Sequence, residues 1–172
     1  QQANTMPTRF ETVARGPEDL AGLLYTSGTT GRSKGAMMSH KNLLSNAQSL
    51  TDLWQITAND RLIHALPIFH THGLFVAMNT SLLAGARLRF MEGFDVDTII
   101  GEIPDSTLLM GVPTFYTRLL DDPRLTRDLA ANMRLFISGS APLLAETHTA
   151  FQERTGHRIL ERYGMTETNM IT

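Results

Sequence analysis

An α/β fold is predicted, built on a largely parallel sheet flanked by helices on both faces. Three observations carry this prediction. Apolar runs of strand length recur at residues 20–26, 61–66, 107–111, 134–138 and 158–164. Segments with apolar residues at helical spacing separate them, so strand and helix alternate. Proline, glycine and capping residues punctuate the junctions. Alternation of this kind favours parallel strands joined by crossover helices.

The elements follow in order. Residues 1–17 are polar and read as a lead-in. Residues 20–26 (LAGLLYT) form a short buried strand that runs into a Gly/Thr loop, and residues 34–39 form a second strand beyond it. Leu43, Leu44, Ala47, Leu50 and Trp54 fall at helical spacing behind Ser39, a capping residue type. Residues 61–66 (RLIHAL) make the next strand, stopped by Pro67. Residues 73–85 read as a largely buried helix ended by Gly85. The alternating ARLRF (86–90) suits a half-exposed strand. Asp95 caps a helix that places Val96, Ile99, Ile100 and Ile103 on one face. TLLMG is a strand, and Pro113 opens a helix bearing Phe115, Tyr116, Leu119 and Leu120. RLFIS is a strand, and Pro142 is expected to open a helix with Leu143, Leu144, Thr147 and Phe151 inward. RILERYG is the last strand, and TETNMIT closes no further element. Ligands on parallel sheets sit outside the carboxyl ends of the strands. The loops to inspect therefore follow residues 26, 66, 110, 138 and 163.

Composition narrows the function. The chain has 172 residues, 42% hydrophobic and 19% charged, with a formal charge of −2. A basic excess of the kind that binds nucleic acid or anionic membranes is lacking, so neither is expected as a partner. There is no cysteine, which excludes disulfides, Cys-based zinc sites and a thiolate nucleophile. No run is long and apolar enough to span a bilayer, and the first residues show no signal-peptide core. A cytoplasmic setting fits.

Four stretches carry chemistry, each with two readings. YTSGTTGRSKG (25–35) combines Gly28, Gly31 and Gly35 with the hydroxyls of Thr26, Ser27, Thr29 and Thr30, and with Lys34. Glycines let backbone N–H groups converge on an anion, and the hydroxyls and ammonium add donors. This is a phosphate cradle or a flexible surface loop; its spacing is not that of a P-loop. PIFHTHG holds His70 and His72, either lining residues or half of a metal site. SGSAPL puts Gly139, Ser140 and Ala141 between a strand and a helix start. That is an anion or purine-edge site, or plain capping. ERYGMTET offers Tyr163 for stacking, Thr166 as a hydroxyl and Glu167 as a hard ligand for Mg²⁺, or else a turn with surface charges.

Taken in order, YTSGTTGRSKG, PIFHTHG, VPTFY, SGSAPL and YGMTE resemble the adenylate-forming superfamily of acyl-CoA synthetases, luciferases and peptide-synthetase adenylation domains. The resemblance covers residues 18–172, a partial AMP-binding domain. One departure is Ser33, where the family usually has Pro before the Lys. The resemblance implies ATP, Mg²⁺ and coenzyme A as co-reactants. It implies that Thr26, Ser27, Gly28, Thr29, Thr30, Gly31 and Lys34 hold the ATP phosphates. Gly139, Ser140, Ala141, Tyr163, Gly164 and Thr166 are implied around adenine and AMP. Lys34, Thr166 and Glu167 are the implied catalytic set, with Glu167 on the metal. The family's ribose-binding Asp, hinge and C-terminal lid with its catalytic Lys are not found, so the chain is expected to be a central piece of a longer enzyme.

Peptide-synthetase domains place an Asp after the PIFHTHG position to pair with an amine, and GLFVAMNTSLL has no acid. Arg162 lies directly before Tyr163, a position that faces the substrate in the family, so the resemblance implies a cation on the substrate side. HTHGLF, GVPTFYTRLL and ERYGMTETNM together look most like the malonyl-CoA synthetase branch, which activates the small dicarboxylates malonate and methylmalonate. Arg162 is then the implied acyl-site anchor, with His72, Arg118 and Met165 beside it. Other readings stand alongside. Arg162 as an ion-pair partner of Glu161 suits a fatty- or aryl-acid ligase, and the chain as a non-catalytic module that holds nucleotide phosphates is a third.

Overall fold

A computed structural model describes residues 5–7, 9–26 and 33–171. Five parallel strands form the centre: β3 (Arg61–His64), β4 (Arg87–Phe90), β5 (Leu108–Gly111), β6 (Leu135–Ser138) and β7 (Ile159–Glu161). Their spatial order is β4-β3-β5-β6-β7. The chain steps from β3 to β4 on one side, then crosses back over β3 to β5 and continues to β7. With right-handed crossovers, the change of direction puts α2 (Asn79–Ala84) on one face. It puts α3 (Val96–Glu102), α4 (Pro113–Leu120) and α5 (Ala145–Thr155) on the other. Contacts agree: α1 (His40–Trp54) packs on α2, while α4 packs on both α3 and α5. The switch in strand order falls between β3 and β5, where parallel sheets open a crevice.

The three inner strands β3, β5 and β6 are covered on both faces and are largely apolar, while the edge strands β4 and β7 carry exposed polar residues. Leu62, Ile63, Leu108, Leu109, Met110, Phe136 and Ile137 have no exposed surface. Phe151 of α5 meets Tyr116 and Phe136 edge-on, at ring distances of 5.4 and 4.8 Å. At the amino end of the sheet Arg134 and Thr107 both bond the carboxylate of buried Asp60. That network ties β3 to the starts of β5 and β6, at the end remote from the crevice.

Local signals account for most boundaries. Ser39 and Asn42 form a reciprocal capping box at the start of α1. Asp95 Oδ1 accepts from the Thr98 N–H at 2.8 Å, and Gly85 ends α2 in the left-handed conformation. Before α2, residues His72–Met78 wind as a π-helix. Gly73 fits that turn because a Cβ there would lie 2.3 Å from the Pro67 carbonyl oxygen.

Four expectations need correction. Residues 20–26 are a strand, but β1 (Leu20–Thr26) pairs antiparallel with β2 (Lys34–Ser39) in a separate two-stranded sheet. Only one face of that hairpin packs inward, leaving Leu23 44% and Tyr25 70% exposed. Residues 61–66 are strand only to His64. The last helix begins at Ala145, not Pro142, because the Leu143 N–H is drawn to the Glu161 carboxylate at 3.0 Å, and Leu144 is 66% exposed. Finally, TETNMIT does close an element: β8 (Gly164–Met165) pairs antiparallel with β9 (Asn169–Met170).

Candidate active site

Segments that leave the carboxyl ends of β3, β6 and β7 converge on one side of the sheet. His70, Thr71, His72 and Val76 come from beyond β3, Ser140 from beyond β6, and Arg162, Gly164, Met165, Thr166, Asn169 and Met170 from β7 onward. Together they line a cavity of about 160 Å³. A neighbouring cavity of about 350 Å³ is bounded by Ser140, Ala141, Pro142, Glu161, Arg162, Tyr163 and Gly164. Ser140, Arg162 and Gly164 belong to both and form the partition.

The small cavity is rich in unused hydrogen-bond donors. Arg162 is 8% exposed and forms no ion pair among the described residues. One guanidinium nitrogen, Nη1, sits 3.4 Å from the Met170 sulfur, while Nε and Nη2 have no partner among the described residues. The guanidinium lies so close to Gly139 that a Cβ there would come within 2.6 Å of Arg162 Cζ. Glycine at 139 is therefore what lets this cation sit where it does. Burial pulls the Arg162 pKa down to about 10, which still leaves it charged at neutral pH. A buried cation without a counter-ion is costly unless an anion arrives.

His72 is 2% exposed. Its pKa is pushed down to about 2, first by burial and then by the positive charge of Arg162 and the nearby His70 and His64. The ring is neutral, so one nitrogen donates and the other accepts. Nδ1 lies 3.3 Å from the Ser140 hydroxyl. If that hydroxyl donates, Nε2 carries the proton, and Nε2 is buried without a partner among the described residues. Ser140 itself is held at φ 68°, a strained conformation for a non-glycine residue and of the kind that concentrates at functional sites. His70 also lines the cavity, and its Nδ1 accepts from the His72 N–H at 3.4 Å. Among the described residues no three His, Cys, Asp or Glu side chains group closely enough to hold a metal ion.

Tyr163 is 57% exposed at the edge of the larger cavity. Gly164 is held against the opposing strand of its hairpin, where a Cβ would stand 2.2 Å from the Asn169 carbonyl oxygen. Thr166 lines the small cavity, and Glu167 lies just beyond it. The Thr26 hydroxyl donates to Glu167 Oε1 at 3.3 Å, and Lys34 is the register partner of Thr26 across the β1–β2 hairpin. The loop end of that hairpin and the turn after β8 thus lie side by side. Ser27, Gly28, Thr29, Thr30 and Gly31 lie outside the described residues. Arg118 stands apart: it is exposed on α4, with its guanidinium 4.6 Å above the Phe94 ring, and lines neither cavity.

Sequence reasoning missed Asn169 and Thr71. Both are buried and line the small cavity. Thr71 stands between two histidines already singled out. Asn169 has φ 55°, and Asn is the non-glycine residue that tolerates this conformation best, so an Asn in the turn TETNM was the available signal.

Comparisons with known proteins are consistent with this geometry. The profile of the AMP-binding enzyme family matches residues 1–172. The apo structure of MatB from Rhodopseudomonas palustris superimposes with a TM-score of 0.93 at 62% identity, over 95% of this chain and 32% of that one. A malonyl-CoA ligase in a ternary product complex with methylmalonyl-CoA and AMP matches at 40% identity and a TM-score of 0.88, over 94% of this chain and 36% of that one. A malonate–CoA ligase of Arabidopsis thaliana is 36% identical over 178 residues, covering 92% of this chain and 29% of its own length. The chain spans about three tenths of the length of the curated relatives it matches.

Proposed function

The chain belongs to the AMP-binding enzyme family, and from that premise we propose that it is part of an acid–CoA ligase for a small dicarboxylate, malonate or methylmalonate. One carboxylate attacks the α-phosphate of ATP and pyrophosphate leaves, giving an acyl-AMP; the thiol of coenzyme A then displaces AMP. Residues 18–172 are proposed as part of the large AMP-binding domain, with residues 1–17 as its lead-in.

The observation that carries the choice of acid is Arg162: a buried guanidinium with two unpartnered nitrogens, Nε and Nη2, and no counter-ion among the described residues. A monocarboxylate would leave that charge unmatched. The second carboxylate of a diacid supplies the anion and accepts two charge-assisted hydrogen bonds. With the Ser140 hydroxyl donating to Nδ1, His72 Nε2–H adds a third. The small volume of the cavity, about 160 Å³, suits a short acid, since pockets for larger ligands begin at roughly 300 Å³. Met165 and Thr71 close around the acid's carbon chain.

The larger cavity is assigned to the nucleotide. Tyr163 stacks on adenine, Gly139, Ser140 and Ala141 run along its edge, and Gly164 allows close approach. Thr166 donates to the α-phosphate. Thr26 and residues 27–31 follow the β- and γ-phosphates, and Lys34 faces the charge that grows on departing pyrophosphate. Glu167 is a single exposed carboxylate beside a hydroxyl, which fits Mg²⁺, an ion held by one or two carboxylates plus phosphate oxygens. When bound there the ion would offset phosphate charge. The names of the relatives support this reading: one is an ATP-bound MatB, and another is described with methylmalonyl-CoA and AMP.

Product analysis tests the reaction class. The full-length protein incubated with ATP, Mg²⁺, malonate and coenzyme A should yield AMP, pyrophosphate and malonyl-CoA by mass spectrometry. Formation of ADP, or AMP release without a thioester, would contradict it.

A further inference from the structure

One residue borders the small cavity on the side facing α1. Asn169 lines that cavity and equally lines a second, polar one of about 300 Å³, bounded by Asn42, Ser45, Asn46 and Ser49 of α1 and by Glu167. Asn169 is 5% exposed, yet its side chain holds nothing in place. Among the described residues its buried Oδ1 has no partner and no hydrogen bond runs through its amide. The neighbouring tie between α1 and β9 is made instead by Asn46, whose amide donates to the Met170 carbonyl at 2.9 Å. A buried polar side chain that contributes no hydrogen bond to the fold calls for another explanation.

We infer that Asn169 is the size-limiting wall of the acid pocket: its carboxamide separates the two cavities and excludes acids with large side groups. The inference rests on reading the small cavity as the acid pocket. With Asn169 in place, a substituent on the carbon between two carboxylates has about 160 Å³ to share with the rest of the acid. Without it, the pocket opens into the polar space along α1. Position 169 also permits a clean test. Its φ of 55° suits glycine without strain, so Asn169→Gly removes the wall and keeps the turn.

The experiment measures kcat/KM in the full-length protein for malonate, methylmalonate and butylmalonate, and for butyrate and octanoate as a monocarboxylate pair. In Asn169→Gly the butylmalonate-to-malonate ratio should rise at least tenfold, the scale on which a few methylenes in a pocket discriminate. The octanoate-to-butyrate ratio should rise in the same direction. Ser49→Phe, which fills the second cavity, should cancel the gain when added to Asn169→Gly. Asn169→Ser should widen the profile less, and it takes the place of the glycine variant should that one unfold. Unchanged ratios in a variant with an unaltered unfolding midpoint would overturn the inference, as would a gain that Ser49→Phe fails to cancel. Equal use of malonate and butyrate by the unmutated protein would instead overturn the diacid reading, and the monocarboxylate pair would still report on the wall.

Discussion

Thr26 and Glu167, 141 positions apart in sequence, meet through a hydrogen bond of 3.3 Å from hydroxyl to carboxylate. The contact joins the last residue of β1, where the Gly/Thr loop departs, to the turn between β8 and β9. It brings the residue from which the proposed phosphate loop departs beside the proposed metal ligand. Lys34, opposite Thr26 in the hairpin, is brought to the same place.

Glu167→Gln in the full-length protein should keep the fold, since Glu167 is exposed and bonds only Thr26 among the described residues. It should lower the adenylation rate by at least about tenfold, because Gln retains the shape and loses the hard anionic oxygen. ATP–pyrophosphate exchange measured against Mg²⁺ concentration checks this. An unchanged Mg²⁺ dependence would remove Glu167 from the metal.

Lys34→Ala should slow the first half-reaction by roughly 10²–10³-fold, the usual cost of losing a group that meets transition-state charge. Pre-formed malonyl-AMP supplied with coenzyme A should bypass the defect. Equal slowing from that intermediate would give Lys34 a different role.

His72 makes stability depend on pH. Its native pKa of about 2 lies below the ordinary 6.5, so below about pH 6.5 the unfolded chain binds a proton that the native state refuses. Stability is therefore complete above that value and declines as pH falls, by up to about 1.4 kcal/mol per pH unit for this one group. Buried His64, also lowered by burial, adds a decline of the same sign. Urea unfolding between about pH 7 and pH 4.5 should show a shallower decline for His72→Gln than for the unmutated protein. Parallel curves would mean that His72 is protonated in the native state.

Much of the fold was legible because its central strands are buried on both faces. LIHAL, TLLMG and RLFIS stand out as apolar runs between capping residues, and Ser39, Gly85 and Asp95 cap where their types predict. The failures also have physical causes. LAGLLYT is as apolar as a central strand, yet it belongs to a hairpin with one face open. Pro142 suits the first turn of a helix, but Glu161 captures the next N–H and delays the start to Ala145. The site was legible as motifs rather than as geometry. Arg162 beside Glu161 offered an ion pair on paper. Successive residues leaving a strand point to opposite sides, so Glu161 turns to Leu143 and Arg162 turns into the cavity alone. Arg118, equally basic, rests on Phe94. Nothing in the sequence distinguished the two arginines by burial.

The central claim is that Arg162 selects a second carboxylate. Its direct measurement is kcat/KM for malonate, methylmalonate and butyrate, in the full-length protein and in Arg162→Leu. Charge-assisted hydrogen bonds contribute about 1.5–3 kcal/mol each, so losing one or two should lower the value for both diacids by roughly ten-fold to a few thousand-fold. Butyrate, which leaves the guanidinium unpaired, should lose little and can gain from an apolar pocket. A parallel loss for all three acids would contradict the claim and reduce Arg162 to a support for the loop; a retained preference for malonate would contradict it as well and move the anion contact to His72.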